Sequence, residues 1–275
     1  MVGSRGHRED GVERRLVAIV VAVVVTAGPC VSSATAAVLA VPDAVYALRT
    51  PKEETHVLRS PGGAVVGEQR FAASVAGDRL ALAVATRFTS GEEWDEHGEA
   101  DLADGFRARR FDKIVRRDGR VTQEQHVDFT TGKIAWLVDG VHAERTMTFA
   151  PDTYIGSMLA LGLAGVPERT PAAASFEALT FRPDPVVVTL HAEAVDEEAH
   201  PLGTPVALAT KLRVRADLGP VGNVLFAGLI PTHYFWFTRT AAPEFVGFAG
   251  ALANGLQVVV TATTPLTTTA HLEVR

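Results

Sequence analysis

Thiol chemistry is nearly missing from this sequence, which holds one cysteine, Cys30, in 275 residues. That cysteine lies close to the N-terminus, so the body of the chain can form no disulfide staple, thiolate metal site or cysteine nucleophile. Tyrosine, tryptophan and methionine are scarce, with three of each. No apolar run reaches the roughly 20 residues that a spanning helix needs. The longest, Leu16 to Ala27, stops at Gly28 and Pro29. The G-x-S-x-G signature of a serine nucleophile elbow is absent, and the Gly62 to Gly67 spacing of a phosphate loop ends on Glu68, whose carboxylate repels phosphate.

What is present begins with an export signal. Arg14 and Arg15 precede the apolar run, and Ser33-Ala34-Thr35-Ala36-Ala37 follows it. This order predicts a signal peptide over residues 1–37, cut after Ala36 or Ala37. Apolar character resumes at Val38 to Val41, so an uncleaved anchor is the alternative and the one membrane contact expected. In either case the body is expected outside the cytoplasm, periplasmic or extracellular. Ala27-Gly28-Pro29 before Cys30 does not resemble a lipidation box, and Glu13 and Leu16 around the arginine pair match a twin-arginine signal poorly.

Residues 1–37 contain four of the 26 Lys and Arg and three of the 32 Asp and Glu, which leaves a body of 238 residues with net charge −7. Nucleic acid and anionic lipid surfaces repel such a charge, so neither is expected as a partner. With 47% hydrophobic residues the body can rest on buried apolar surface.

Pro42, Pro51 and Lys52-Glu53-Glu54 mark residues 38–54 as a flexible tether, followed by a single β-rich domain over 55–275. Strand-like runs cover Ala64 to Ser74 and Arg79 to Phe88, and the acidic, aperiodic stretch Ser90 to Asp104 reads as a surface loop. Asp118-Gly119 and Asp139-Gly140 are type I′ turn signals, since both positions tolerate positive φ. With Thr131-Gly132 between them they predict a four-strand antiparallel meander. Asp152 is placed to cap a helix carrying Tyr154, Ile155, Met158, Leu159, Leu161 and Leu163. Its apolar residues encircle it, so it either plugs a barrel or connects along a sheet edge. Further strands are expected at Ala174–Arg182, Val186–Glu193, Val206–Asp217, Thr232–Arg239, Glu244–Gly250, Gln257–Thr263 and Ala270–Arg275. The fold class is mainly β: an antiparallel barrel, half-barrel or sandwich of ten or more strands with one central apolar helix.

Three clusters invite a chemical reading. Glu124, His126 and Asp128 share one strand face, but a two-residue turn pairing Arg117 with Arg120 sets Lys113, Phe111 and Arg109 opposite them, which accounts for the carboxylates as cross-strand pairs without a metal. The same pairing neutralises part of the basic cluster from Arg107 to Arg120, which lacks the aromatic platform that single-stranded nucleic acid needs. Trp94-Asp95-Glu96-His97 brings carboxylates and a histidine together in the expected loop, and His191, Glu193 and His200 flank an expected acidic turn, Asp196-Glu197-Glu198. No catalytic residue, metal ligand or cofactor site is assigned from these. The densest aromatic patch is Thr232 to Phe237, apolar on both faces of a strand, which suits a core strand or a cavity wall. With the helix it supplies the candidate ligand-binding residues Tyr154, Met158, Leu161, Phe235 and Phe237.

The segments Asp128-Phe129-Thr130-Thr131-Gly132-Lys133-Ile134-Ala135-Trp136, Ala150-Pro151-Asp152-Thr153-Tyr154-Ile155-Gly156 and Ile230 to Phe237, followed by Pro243 to Phe248, resemble an uncharacterised group of exported bacterial β-rich proteins. More loosely, a strand meander with a buried helix is similar to the half-barrel of periplasmic lipoprotein carriers, which hold acyl chains in a lidded cavity. That resemblance is architectural, and no functional residue carries over.

The leading expectation is an exported, non-catalytic protein of the bacterial envelope holding a lipid or other hydrophobic ligand in an apolar cavity. The alternatives are a structural or protein-interaction module of the envelope and, third, a hydrolase using the Trp94–His97 segment.

Overall fold

The structure, a computed structural model, describes residues 45, 51–138, 140–181, 184–218, 231–240, 242–252 and 255–262. The expected signal peptide, most of the tether and the strand at Ala270–Arg275 lie outside them.

Alternating inward and outward side chains build one antiparallel meander from β1 (Lys52–Arg59), β2 (Val65–Ala76), β3 (Arg79–Phe88) and β4 (Glu92–Asp101). It continues through β5 (Arg107–Arg117), β6 (Arg120–Asp128), β7 (Lys133–Val138) and β8 (Val141–Thr146). A two-residue strand, β9 (Thr153–Tyr154), and a six-residue helix, α1 (Met158–Leu163), come next. A second meander then runs through β10 (Ala173–Phe181), β11 (Pro185–Glu198), β12 (Ala209–Ala216), β13 (Thr232–Thr238), β14 (Phe245–Ala251) and β15 (Gln257–Ala262).

The two meanders join where β1 pairs with β15, His56 opposite Ala262, to give one 15-stranded sheet ordered β8 to β1, then β15 to β9. Every pairing is antiparallel except β9 with β10. Among the described residues β8 and β9 are edges that do not pair with each other, so the sheet curls without closing. It is a half-barrel, mainly β, as the strand count and turn spacing imply. Its two arms meet across the concave side, where the Trp136 and Phe181 rings lie 6.2 Å apart, edge to face. The chain must cross from the β8 edge to β10, and β9 and α1 make that crossing. That is the place of the apolar helix.

The main core lies on the concave side and holds Phe106, Phe111, Tyr154, Met158, Phe176 and Phe237, all essentially inaccessible. A second cluster groups Leu58, Phe88, Trp94, Val115, Val258 and Val260. Val45 is buried in the main core, and β1 begins at Lys52, three residues inside the span read as tether. Among the described residues no helix is long and apolar enough to cross a membrane.

The structure corrects four local expectations. Ser90 to Asp104 is not a loop over its length, because Glu92–Asp101 forms β4, with Trp94 and Ala100 inward and hydrogen bonding to both neighbours. The Asp118-Gly119 turn does form with φ of 52° and 74° and does pair Arg117 with Arg120. A bulge at Thr122 then moves the register by one, so Lys113 faces Gln125, Phe111 faces Val127 and Arg110 faces Asp128. Asp152 caps no helix: α1 starts after Ser157, because Gly156 at φ 54° breaks the helical path. Asp196 to Glu198 is the end of β11, where Glu198 meets Lys211 at 2.6 Å and Glu197 meets Arg239 at 2.6 Å.

Asp152 shows what replaces the cap. Its residue is fully buried and both carboxylate oxygens lack a hydrogen-bond partner. Burial, with the nearby Glu177 charge, raises its pKa above the usual aspartate value. A raised folded pKa means the group favours the fold below the unfolded value and opposes it as pH rises through the folded one. Asp152→Asn is therefore expected to add about 1 kcal/mol at pH 7, the order of an unsatisfied buried group. The gain should shrink toward zero as pH falls below the carboxylate range. Urea titrations at neutral and acid pH measure it, and an equal gain at both would remove ionisation as the cause.

Candidate functional site

The five residues expected to bind ligand all enter the main core. The Tyr154 hydroxyl donates to the Phe106 carbonyl at 2.7 Å, with its ring between Phe106 and Phe176. Met158 packs against β4 beside Gly98, and Leu161 is half-buried on the same cluster. Phe235 meets Phe248 at 4.9 Å, and Phe237 meets Phe245 at 6.2 Å. None of the five lines either cavity described below.

Polar side chains occupy inward positions elsewhere on the concave face. On β4 the alternation that sends Trp94 inward also sends Glu92 and Glu96 there. On β5 it buries Phe111, Lys113 and Val115, and on β6 Gln125 and Val127. Register aligns them: Glu96 faces Lys113, Lys113 faces Gln125, and Gln125 faces Trp136. The bulge at Thr122 is what brings Gln125, rather than Glu124, beside Lys113.

The charges in this row are closely matched. Lys113 Nζ donates to Glu96 Oε1 at 2.9 Å and lies 3.8 Å above the Trp94 ring. Glu96 Oε2 accepts from the Ser157 backbone N–H at 3.2 Å, which ties the start of α1 to the sheet. One rung away, Glu92 Oε1 accepts from Trp94 Nε1 at 2.8 Å and Oε2 from Arg117 Nη2 at 2.6 Å. Burial alone raises a carboxyl pKa, but for Glu96 the Lys113 ammonium and the hydrogen bonding at Ser157 outweigh it and hold the pKa below 4.5.

Glu92, Trp94, Lys113, Arg117 and Gln125 form one wall of a cavity of about 250 Å³. Its opposite wall is apolar, made by Ile155, Leu179 and Phe181. Gln125 is 9% exposed and lines the cavity, and its amide has no hydrogen-bond partner among the described residues. Gln123 and Thr180 also line it. Histidine, serine and cysteine are not among its described lining residues. A second cavity of about 360 Å³, between Pro167, Ala194, Thr210 and Arg239, is lined by the buried Thr210 together with the exposed Glu197, Arg239 and Thr240.

The other sequence candidates separate. Trp94 lines the slot and Glu96 points to the same side of the sheet, whereas Asp95 lies on the outer face between Arg87 and Arg116. Adjacent on a strand, the two carboxylates occupy opposite sides of the sheet and cannot act on one substrate. On β6, His126 Nδ1 lies 2.7 Å from Asp112 Oδ1 on the outer surface. Among the described residues no three His, Cys, Asp or Glu side chains are arranged to hold a metal ion. Of the basic cluster, Arg109 reaches Asp101 at 3.6 Å and Arg110 reaches Asp112 at 2.8 Å. Glu193 pairs with Arg213 at 2.6 Å, and His191 Nδ1 lies 3.1 Å from the Ser175 hydroxyl.

Sequence reasoning missed the slot because its wall reads as an acidic loop. The signal that marks it is the two-residue period of Glu92, Trp94 and Glu96 set against Lys113 and Gln125 on neighbouring strands.

Comparison of the sequence with protein-family models and with curated proteins gives no match. Among solved structures, the chain is similar to a β-barrel-like protein of a domain of unknown function from Brucella abortus. The TM-score is 0.47 at 12% identity, over 78% of this chain and 95% of that one. At that level no functional residue transfers between them.

Proposed function

We propose that the protein is an exported, non-catalytic binding module of the bacterial envelope, and that its ligand sits in the slot between the β4–β6 wall and β10. One observation carries this reading: an inward row of buried polar residues ends in Gln125, whose amide lacks a partner and lines a cavity. The Gln125 amide is not sealed away from the cavity, and an occupant with hydrogen-bonding groups would meet it there in place of water. The cavity has room for about eight waters' volume, which limits the occupant to a small molecule or the head of a larger amphiphile. The apolar wall keeps a hydrophobic ligand in view, and the polar wall adds an oriented head. Tyr154 and Met158 serve this reading from behind, by fixing the crossing segment whose Ile155 and Gly156 face the slot.

The test is native mass spectrometry of the chain expressed without residues 1–37, with the Thr180→Trp variant alongside to fill the slot. The expected result is a bound small molecule in the parent protein that is missing from the variant, at unchanged circular dichroism. A parent protein that carries no small molecule, or a variant that carries the same one, overturns the reading. Co-purification of a protein instead would favour the interaction-module alternative, for which the exposed edge strand β8, with Val141 68% exposed, is the surface at hand.

A further inference from the structure

Among the described residues β8 is an unpaired sheet edge, and its pattern says what fits it. The other edge, β9, is two residues long and buried at both. β8 runs for six residues, five of them exposed, and pairs with β7 without a register shift. It carries no proline, lysine or bulge of the kind that keeps an edge from pairing again.

The direction of its backbone groups follows from one bond. The Met147 N–H donates to the Gly132 carbonyl, so by alternation Val141, Ala143 and Arg145 turn their N–H and C=O groups to β7. His142, Glu144 and Thr146 turn theirs to the free side. Side chains alternate in step: Ala143 lies opposite the inward Trp136, so Val141, Ala143 and Arg145 are on the concave face and His142, Glu144 and Thr146 on the outer one. Among the described residues His142, Glu144 and Arg145 form no ion pair.

A second copy of the same strand, antiparallel, completes this edge, and charge selects its register. Free backbone groups must oppose free backbone groups, so the two-fold axis passes through a residue and not between two. An axis at Glu144 opposes two carboxylates, and one at Arg145 opposes two guanidinium groups. An axis at His142 leaves Glu144 opposite Gly140. An axis at Ala143 opposes His142 of each copy with Glu144 of the other, and Val141 with the Arg145 stem. Each His142–Glu144 pair also exchanges backbone hydrogen bonds, since both residues point to the free side. Val141, 68% exposed in the single chain, is covered in that arrangement.

We propose that the protein self-associates through β8, two copies pairing antiparallel about Ala143 so that the sheet of one half-barrel continues into the next. This pairing does not depend on what fills the slot.

Sedimentation of the full chain, purified as the cell processes it, is followed from micromolar to submillimolar concentration. The parent is expected to pass from monomer to dimer. His142→Glu sets like charges opposite each other twice across the axis, and Glu144→Lys removes the acceptor from His142 twice. Both residues are exposed, and each variant is expected to weaken the dimer about tenfold or more. The double variant His142→Glu, Glu144→Lys restores opposite charges at both pairs and is expected to recover the parent's association. In hydrogen exchange the His142 and Glu144 amides are expected to gain protection with concentration, while those of Ala143 and Arg145, already turned to β7, stay as they are. A parent that remains monomeric, including one that carries a different protein in place of a second copy, overturns the proposal. So does a dimer that neither single variant weakens, or single variants that the double variant fails to rescue.

Discussion

Lys113→Met is expected to destabilise the protein by about 3–5 kcal/mol, the cost of leaving a buried carboxylate without its cation. Glu96 is 8% exposed, its position opposite Lys113 is fixed by the β4–β5 register, and its other oxygen is committed to the Ser157 N–H. A loss of this size is a large part of the roughly 5–15 kcal/mol that holds most domains folded. The double variant Glu96→Leu, Lys113→Met is expected to recover most of the loss, because two apolar groups of similar shape need no solvation and both ends of the pair disappear together. Chemical denaturation of the parent, both single variants and the double variant gives the coupling. Two additive single effects would mean that the ion pair is solvated after all.

The second large effect is expected at a turn. Gly132 joins β6 to β7 at φ 73°, and a Cβ there would collide with the backbone carbonyl oxygen of Met147, which cannot move without breaking the Met147 N–H bond to Gly132. Gly119 has nearly the same φ, 74°, with nothing near the Cβ position. Alanine at Gly119 should therefore cost only the conformational penalty, about 1 kcal/mol. Alanine at Gly132 adds a backbone clash and should cost about 3–4 kcal/mol, in the severe tail of single substitutions. Equal losses at the two sites would show that the Met147 contact yields readily.

The turns that organise β5 to β8 were legible because glycine and aspartate at positive φ leave a local mark in sequence. The later strands were legible from apolar runs of strand length, with ends displaced by a few residues. β4 was not, and the reason is physical: its inward positions include Glu92, Glu96 and Gly98, so the apolar alternation that reveals a half-buried strand is missing where the strand borders the slot. The one-residue bulge at Thr122 left no glycine or proline behind, so the pairing beyond it was displaced although the turn itself was correct. The helix was overextended because Tyr154 to Leu163 is apolar throughout, and composition does not record that Gly156 turns the chain before α1 begins. The same two features, an acidic strand and a hidden bulge, assemble the Glu96, Lys113 and Gln125 row. Only part of the candidate site, Trp94 and Glu96, was visible beforehand, and its partners were assigned to the wrong neighbours.

The seam between β1 and β15 has a temporal consequence. Synthesis delivers the first meander complete, β1 to β8, while the strand that will cover the free side of β1 is still the last described strand to arrive. Until Ala262 reaches His56, an eight-strand sheet waits with an open inner edge, and the concave face lacks its second wall. Closure of so long a chain segment makes the final pairing slow and leaves that edge open to wrong partners meanwhile. A chaperone that shields nascent strands would act on this molecule at β1, before there is a pocket to fill.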